Sequence, residues 1–201
     1  LYLSNAEKAV VRAADLAKKL TTFSRGGWLE RETMEISDIV MQVIGDMSEE
    51  EKTEYNIHIE DDLKPTFGDK RQMVQVFRNI FQNAVEAGTG AKGITVTATN
   101  VENAAIEMAD ICDPEELKHV EFIRVTVKDH GKGITSKDLG KIFNPYFTTK
   151  PKGEQKGVGL GLTVCYSIIN KHKGYIQVQS EEGKGATVNI YLPAHQGGEA
   201  N

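Results

Sequence analysis

The segment GDKRQMVQVFRNIFQNAVEAG, residues 68–88, decides the fold because it predicts one long helix with a single apolar face. Asp69 and Gln72 have the spacing of a capping box, in which two side chains satisfy backbone N–H groups at the start of a helix. Gly88 follows the last periodic residue and suits the end of a helix. The apolar residues that recur at helical spacing are Met73, Val76, Phe77, Ile80, Phe81 and Ala84. A face of this width has to be buried against another layer of structure.

Segments on either side of this helix alternate between apolar and polar residues, which predicts strands. Residues 34–48 predict a short strand followed by a helix capped by Ser37, and the acidic residues 101–121 predict an elaborated loop between two strands. A further apolar helix is predicted at about 160–171. The predicted strands are 55–60, 94–99, 122–129, 175–180 and 186–192. Helices interleaved with strands predict an α/β (α+β) fold, a two-layer α/β sandwich with a mixed sheet and helices on one face.

The first 25 residues predict a different kind of helix. Their apolar positions, among them Leu3, Ala6 and Val10, step by three and four residues, which is typical of a helix in a bundle. The pair Gly26 and Gly27 should end this helix. The sequence therefore predicts three parts: a long N-terminal bundle helix at 1–27, a main domain at 28–195 and a tail at 196–201.

Composition argues against two classes of function. The net charge of −5 argues against a nucleic-acid binder, which needs a basic face to displace counterions from phosphates. No run approaches the roughly 18 apolar residues of a membrane span, so we expect no membrane contact by this chain, although a longer parent protein could carry an anchor. Cys112 and Cys165 lie far apart in sequence, so we expect free thiols in a reducing compartment, the cytoplasm.

The polar face of the 69–87 helix is the first candidate site. Asn79, Asn83 and Glu86 share one side of this helix. A solvated helix face is the simplest interpretation. The amide of an asparagine can, however, offer its carbonyl oxygen to a hard cation such as Mg²⁺, which bridges nucleotide phosphates. The pattern gains weight only together with the motifs that follow.

The second candidate is VKDHGKGI, residues 127–134. A carboxylate such as Asp129, placed at the end of a buried strand, can accept a hydrogen bond from an exocyclic amine such as that of adenine. Glycines just beyond it let a ligand approach the backbone. An ordinary Asp-x-Gly turn is the common alternative. A protein-kinase Asp-Phe-Gly equivalent is excluded because the chain has neither a His-Arg-Asp motif nor the corresponding lysine strand.

The glycine-rich stretch GVGLGL, residues 157–162, leads directly into the 160–171 helix. Its backbone N–H groups and the helix N-terminus would face the same place, which suits a phosphate group. The stretch is not a P-loop, since no Gly-Lys-Ser/Thr follows, and its third glycine comes one residue too early for a dinucleotide fingerprint. The aromatic cluster at 143–147 and the basic loop at 148–156 predict a lid over the site, with a solvated surface loop as the alternative.

Taken in order, these four segments resemble the N, G1, F and G2 boxes of histidine kinases and of the wider group that includes DNA gyrase B, Hsp90 and MutL. The resemblance covers about residues 30–193. It implies that Asn83 coordinates Mg²⁺, that Asp129 holds the adenine amine, and that Asn79 and Lys150 join Asn83 as catalytic residues. It also implies a contact from Thr187, although Ala186 replaces a usual threonine there. The other implied nucleotide contacts are Glu86, Gly131, Gly133, Ile134, Phe143, Lys150, Lys156, Gly157, Gly159, Leu160, Gly161 and Leu162.

The same resemblance implies cofactors and partners. ATP and Mg²⁺ would be bound, and residues 1–27 would be the second helix of a dimerisation and phosphotransfer hairpin, giving a homodimer in the full protein. The phosphoacceptor histidine would lie on the first helix of that hairpin, which this sequence does not contain, and none of its five histidines replaces it. The γ-phosphoryl group would pass to that histidine and then to an aspartate on the receiver domain of a response regulator.

Three other functions share these boxes. A gyrase-like or Hsp90-like ATPase carries a glutamate where this chain has Asn79, and an amide cannot act as a general base at neutral pH, so hydrolysis is disfavoured. A serine kinase of the anti-sigma or mitochondrial type is less consistent with the N-terminal bundle helix. A non-catalytic ATP sensor is less consistent with four intact boxes, although a fold alone never proves activity.

Overall fold

The structure is a computed structural model that describes residues 30–48, 53–88, 93–113, 117, 120–149 and 158–195. The predicted bundle helix at 1–27 and the tail at 196–201 lie outside these residues. The described elements in chain order are β1 (Glu32–Met34), α1 (Ile36–Ser48), β2 (Tyr55–Ile59), β3 (Thr66–Gly68), α2 (Lys70–Ala87), β4 (Ile94–Asn100), α3 (Ala104–Glu107), β5 (Phe122–Lys128), α4 (Ser136–Leu139), α5 (Gly161–Lys171), β6 (Tyr175–Glu181) and β7 (Gly185–Pro193). None of the helices among the described residues is both long and apolar enough to cross a membrane.

A five-stranded mixed sheet forms one layer, in the order β2-β4-β5-β7-β6. Strands β2 and β4 run parallel, and the other neighbouring pairs run antiparallel. The five strands predicted from alternation are confirmed to within one residue at each end. The fold class is confirmed as well. Strands β1 and β3 form a separate antiparallel pair, which the sequence did not reveal as two strands because three-residue strands carry too little alternation to detect.

The three longer helices, α1, α2 and α5, form the second layer. Their apolar faces share one buried cluster with the inward side chains of the sheet, including Val96, Val125 and Ile190. The opposite face of the sheet is covered at one end by the insertion between β4 and β5. Met108 and Leu117 of that insertion are buried against Phe122 and Tyr191. The predicted loop at 101–121 therefore contains a short helix and a small core of its own.

Helix α2 begins and ends where the sequence predicts, but its first turn is built differently. The carboxylate of Asp69 accepts a hydrogen bond from the backbone N–H of Gln72 at 3.1 Å, and Gly88 ends the helix with a left-handed φ of 84°. The reciprocal half of the predicted capping box is not formed by Gln72. Instead, Nε2 of His172 accepts the hydrogen bond from the backbone N–H of Asp69, at 2.9 Å. The capping prediction for Ser37 was wrong, because α1 begins at Ile36 and Ser37 lies inside its first turn.

Helices α2 and α5 lie antiparallel, and polar contacts join them at three levels. The contact between Asp69 and His172 lies at one end. In the middle, the thiol of Cys165 points at the carbonyl oxygen of Val76, at 3.7 Å, and burial raises the pKa of this thiol to about 12, so it stays protonated. At the other end, the side-chain amide of Asn79 donates to the carbonyl oxygen of Gly161 at 3.4 Å. These contacts fix the register of the two helices along the whole of α5 and over the first half of α2.

Candidate functional site

A cavity of about 360 Å³ opens between α2, the ends of β5 and β7, the segment that follows β5, and the start of α5. These elements carry three of the four sequence motifs, and Phe147 of the fourth, the aromatic cluster at 143–147, lines the cavity as well. Asn83 and Glu86 line the cavity from α2, Asp129 and Gly133 line it from the segment after β5, and Gly161 lines it from α5. The structure thus brings together residues that lie far apart in the sequence.

Asp129 lies where β5 ends, and only 6% of it is exposed. Its Oδ1 accepts hydrogen bonds from the backbone N–H groups of Gly131 at 2.8 Å and Ala186 at 3.2 Å. Its own backbone N–H donates to the carbonyl oxygen of Ala186 at 2.9 Å, so both its backbone and its side chain are fixed to β7. Burial raises the pKa of this carboxyl above its usual value, and the two N–H donors and His130 oppose that rise. Asp129 lines the cavity, and a ligand could donate to Oδ2, which takes part in neither of these two bonds.

The walls next to Asp129 are apolar. Val127 of β5 is paired with Val188 of β7, which is paired with Val178 of β6, and these three side chains line one wall. The opposite wall comes from α2 and from the segments around α4 and α5. Its apolar members are Ile80, Ala84, Ala87, Ile134, Ile142 and Leu162. Apolar walls that lead to one fixed acceptor suit a flat heterocycle that presents an N–H donor.

Two glycines shape the turn after Asp129. Gly131 lies so close to the end of α2 that a Cβ atom there would be 2.5 Å from the carbonyl oxygen of Ala87. Gly133 has φ of +68°, a left-handed conformation that a side chain disfavours, and a Cβ there would collide with the carbonyl oxygen of Glu181. Both positions therefore require glycine. Gly133 lines the cavity, whereas Gly131 acts through its N–H on Asp129.

The other end of the cavity is polar and lies at the start of α5. Asn83 of α2 faces Gly161, since its amide nitrogen would lie 4.0 Å from a Cβ built on that glycine. The N-cap residue Leu160 provides no side-chain hydrogen bond to the first turn of α5. The N–H groups of that turn and the positive end of the helix dipole suit an anionic group. Gly159, Gly161 and Leu162 line this end of the cavity, and their contact with phosphate stays a prediction.

Several predicted contacts lie beside the cavity and do not line it. Asn79 bonds the carbonyl of Gly161, Leu160 is buried at the N-cap of α5, and the ring of Phe143 packs on Tyr166 with centroids 5.4 Å apart. Ala186 and Val188 line the cavity on either side of Thr187, so strand alternation places the Thr187 side chain on the other face of the sheet. This placement does not support the predicted contact from Thr187. Three predicted residues, Lys150, Lys156 and Gly157, lie outside the described residues.

The cavity also has lining residues that the sequence did not single out. Ile80, Ala84 and Ala87 lie within one turn of Asn83 on α2, so the helical period could have indicated them. Ile142 lines the cavity where Phe143 was predicted, a shift of one position in an irregular segment without a period. Among the polar lining residues, Lys132 belongs to the 127–134 motif, and Thr148 and Thr149 begin the loop predicted as a lid. Those without a sequence signal are Thr135, Asp138 and Glu182.

The chain is similar in sequence to known proteins. A family model described as "Histidine kinase-, DNA gyrase B-, and HSP90-like ATPase" matches residues 68–196. The sensor kinase CckA of Brucella abortus (strain 2308) is 35% identical over 193 residues, which are 95% of this chain and 20% of CckA. Sporulation kinase E of Bacillus subtilis (strain 168) is 35% identical over 139 residues, 69% of this chain and 16% of that kinase. The chain therefore spans a fifth or less of the length of these relatives.

A solved structure shares the fold. Full-length ShkA in complex with AMPPNP superposes with a TM-score of 0.74 at 21% sequence identity. The superposition covers 96% of this chain and 38% of ShkA. At this identity the comparison shows the fold alone, a mixed sheet with helices packed against it.

Proposed function

Because the chain belongs to the family of histidine kinase-, DNA gyrase B- and HSP90-like ATPases, we propose that it is the ATP-binding catalytic region of a sensor histidine kinase. In this role it transfers the γ-phosphoryl group of ATP to a histidine on a helix outside this chain. The phosphoryl group then passes to an aspartate on the receiver domain of a response regulator. Both relatives described above are kinases, and one is named a sensor kinase, which favours this role over a gyrase-type ATPase.

The observation that carries the proposal is the geometry of Asp129. Two backbone N–H groups hold its Oδ1, while the side chain lines an apolar cavity. The exocyclic amine of adenine can donate a hydrogen bond to this carboxylate, whereas guanine has a carbonyl oxygen at the same ring position and would meet the carboxylate with a second acceptor. The site is therefore proposed to select adenine nucleotides. The paired valines of β5, β6 and β7 would pack on one face of the ring.

The phosphate end supports a triphosphate with a bound cation. Among the described residues there is no cluster of three or more His, Cys, Asp or Glu side chains that could hold a metal ion by themselves. The amide of Asn83 can contribute one oxygen ligand, so phosphate oxygens and water would have to complete the shell, which is the usual arrangement for Mg²⁺. A cation held there by Asn83 would supply charge neutralisation for the phosphates. The N–H groups of the first turn of α5 would bind the same phosphates.

The position of Asn79 argues for transfer over hydrolysis. Its side-chain amide donates to the carbonyl oxygen of Gly161, and it does not line the cavity. An amide cannot take a proton from water at neutral pH, and this one is engaged in joining α2 to α5. We therefore assign Asn79 a structural part in the site, holding the phosphate-binding turn of α5 at a fixed distance from Asn83.

The proposal also extends to partners and location. Homodimerisation would occur through the helix predicted at 1–27, and the receiver domain of a response regulator would be the second partner. Neither Cys112 nor Cys165 is in a disulfide bond, which fits a reducing compartment with ATP, so we propose a cytoplasmic location.

The deciding experiment supplies the acceptor in trans. The chain is incubated with γ-labelled ATP, Mg²⁺ and a separate polypeptide that carries the preceding hairpin helix with its histidine. Acid-labile and base-stable label on that polypeptide is the expected result. Acid-stable phosphoserine would identify a serine kinase instead, and release of free phosphate without labelled protein would identify an ATPase.

A matched variant tests the metal in the same assay. Asn83→Ala should reduce labelling by about tenfold and remove most of its dependence on Mg²⁺, because one oxygen ligand is lost. Labelling that keeps the full Mg²⁺ dependence in this variant would count against Asn83 as the ligand.

A further inference from the structure

We propose that Thr163 is a positioning residue of the nucleotide site, with a hydroxyl group that fixes one wall of the cavity to the phosphate-binding turn of α5. The wall segment is defined as residues 140–147, which precede the lid loop predicted from the sequence. This inference rests on the proposed function for the identity of its ligand. It concerns a residue that does not line the cavity and that the sequence motifs did not single out.

The carrying contact is a hydrogen bond that crosses between two segments. Thr163 lies in the first turn of α5 and is only 6% exposed. Its Oγ1 donates to the carbonyl oxygen of Phe143 at 3.0 Å. A threonine inside a helix commonly returns this bond to a carbonyl of its own preceding turn. Here the donor reaches a residue twenty positions away, so the bond joins the wall segment to the helix.

Two further contacts join the wall segment to the start of α5, and we call this boundary between residues 140–147 and 159–166 the seam. The ring of Tyr166, one turn after Thr163 on α5, packs on the ring of Phe143. Near the start of α5, Gly159 lies so close to the wall segment that a Cβ on it would be 2.6 Å from the carbonyl oxygen of Phe147. The two ends of the chain that flank residues 150–157 therefore touch each other, and the Thr163 bond is the polar contact deepest in that seam.

The seam has a consequence for the cavity because both of its sides line the cavity. Ile142 and Phe147 of the wall segment do so, and so do Gly161 and Leu162 of α5. A shift of the wall relative to α5 would move the apolar wall away from the phosphate-binding turn. A ligand that spans both ends would lose contacts at one of them. A ligand that is held only beside Asp129 would lose little.

This difference gives a readout that a general loss of stability would not produce. Thr163→Val keeps the shape of the side chain and removes the hydroxyl, which leaves the carbonyl of Phe143 without this donor. We expect the Kd for ATP to rise about tenfold, the size of effect typical of one hydrogen bond to a buried group. The Kd for adenosine should change less than twofold. Thr163→Ser, which keeps the hydroxyl, should bind ATP within about twofold of the unmodified chain.

The controls separate the possible failures. Thr126→Val removes a threonine hydroxyl that bonds Asn189 at 2.8 Å on the opposite face of the sheet, and it should leave both Kd values unchanged. Calorimetry supplies the Kd values, and thermal unfolding of each variant shows that it is folded. If Thr163→Val does not fold, Tyr166→Ala tests the inference instead, because the Tyr166 side chain is 46% exposed and its removal should be tolerated by the fold. Its loss should raise the Kd for ATP about threefold and leave the Kd for adenosine unchanged.

Three outcomes would overturn the inference. They are unchanged ATP affinity in Thr163→Val, a parallel loss for ATP and adenosine, and no recovery in Thr163→Ser. An unmodified chain that binds neither ATP nor adenosine would instead contradict the proposed function, and that result is distinguishable from the other three.

Discussion

Two buried titratable residues, Asp129 beside the cavity and His172 at the C-terminal end of α5, play different parts in the molecule. Each is 6% exposed, and each makes two hydrogen bonds to the backbone. Asp129 accepts both bonds on a single oxygen and lines the cavity with the other oxygen available. The ring of His172 uses both nitrogens, because Nε2 accepts from Asp69 and Nδ1 donates to the carbonyl oxygen of Ile168 at 2.8 Å.

Burial acts on the two groups in opposite senses. It raises the pKa of Asp129 and lowers the pKa of His172, because in each case it disfavours the charged form. His172 is therefore neutral at pH 7, and each of its two ring nitrogens has a hydrogen-bond partner. The two backbone N–H groups offset only part of the cost of burying the Asp129 carboxylate. A hydrogen bond donated by a ligand would offset more of it. A buried polar group with an unused oxygen facing a cavity is therefore a binding group, while one whose polar atoms are all used stabilises the fold.

Asp129→Ala should abolish most of the ATP affinity. We expect ATP affinity to fall at least about 100-fold, roughly 2.7 kcal/mol, because the acceptor for the adenine amine is removed. Thermal stability should change little, since the variant also removes a desolvated charge. Calorimetric titration with ATP is the measurement, and Asp110→Ala, at an exposed position of the insertion, is the matched control. Unchanged affinity in Asp129→Ala would refute the assignment of the site.

His172→Ala should give the converse result at the other end of the helices. It leaves the buried N–H of Asp69 and the carbonyl of Ile168 without their partner, so we expect a loss of about 2 kcal/mol in the free energy of unfolding. ATP affinity of the folded variant should stay within about twofold. Urea unfolding and calorimetry supply the two numbers, with His58→Ala on the exposed side of β2 as control. If ATP affinity fell together with stability, the two ends would not be separable.

Sequence patterns sufficed where a feature depends on neighbours in the chain. Helix α2 was located because Asp69, the apolar face and Gly88 are all local signals. The strands of the sheet were located by alternation, which is again local. Asp129 and Asn83 were identified as candidates because each lies in a short motif, and the structure places both on the cavity.

Features that depend on distant partners could not be predicted in this way. The cap of α2 by His172 joins residues 103 positions apart, and no spacing in the sequence indicates it. Ile142 replaces Phe143 as a lining residue because the wall segment is irregular and the ring of Phe143 packs on Tyr166 instead. The placement of Thr187 was within reach, since strand alternation puts it on the face opposite Ala186 and Val188. The predicted contact from Thr187 rests on the family resemblance, whereas the two-residue period of a strand predicts the opposite face.

The pH dependence of stability should show a small effect, in which His172 and Asp129 contribute slopes of opposite sign. In the unfolded chain histidine takes up a proton near its ordinary pKa of 6.5, whereas folded His172 resists protonation because its pKa is lowered. As pH falls below 6.5 the unfolded state therefore binds more protons, and stability declines until the lowered pKa is passed. Arg31 and Lys171 oppose the charged ring and Asp69 favours it, so replacing Arg31 should weaken this decline.

For Asp129 the folded state takes up the proton first, because its pKa lies above the ordinary value of 3.8. Stability should therefore rise as pH falls from that raised pKa towards 3.8, against the contribution of His172. Asp129→Asn keeps an oxygen that can accept from Gly131 and Ala186, and its side chain cannot titrate. Its free energy of unfolding should therefore exceed that of the unmodified chain most at neutral pH, and the difference should shrink in acid. Urea unfolding between about pH 4 and about pH 7 measures both slopes. His172→Ala should lack the decline and Asp129→Asn should lack the rise. Slopes of the same sign for the two groups would mean that burial does not control both, and that the distinction between a binding carboxylate and a structural imidazole has another origin.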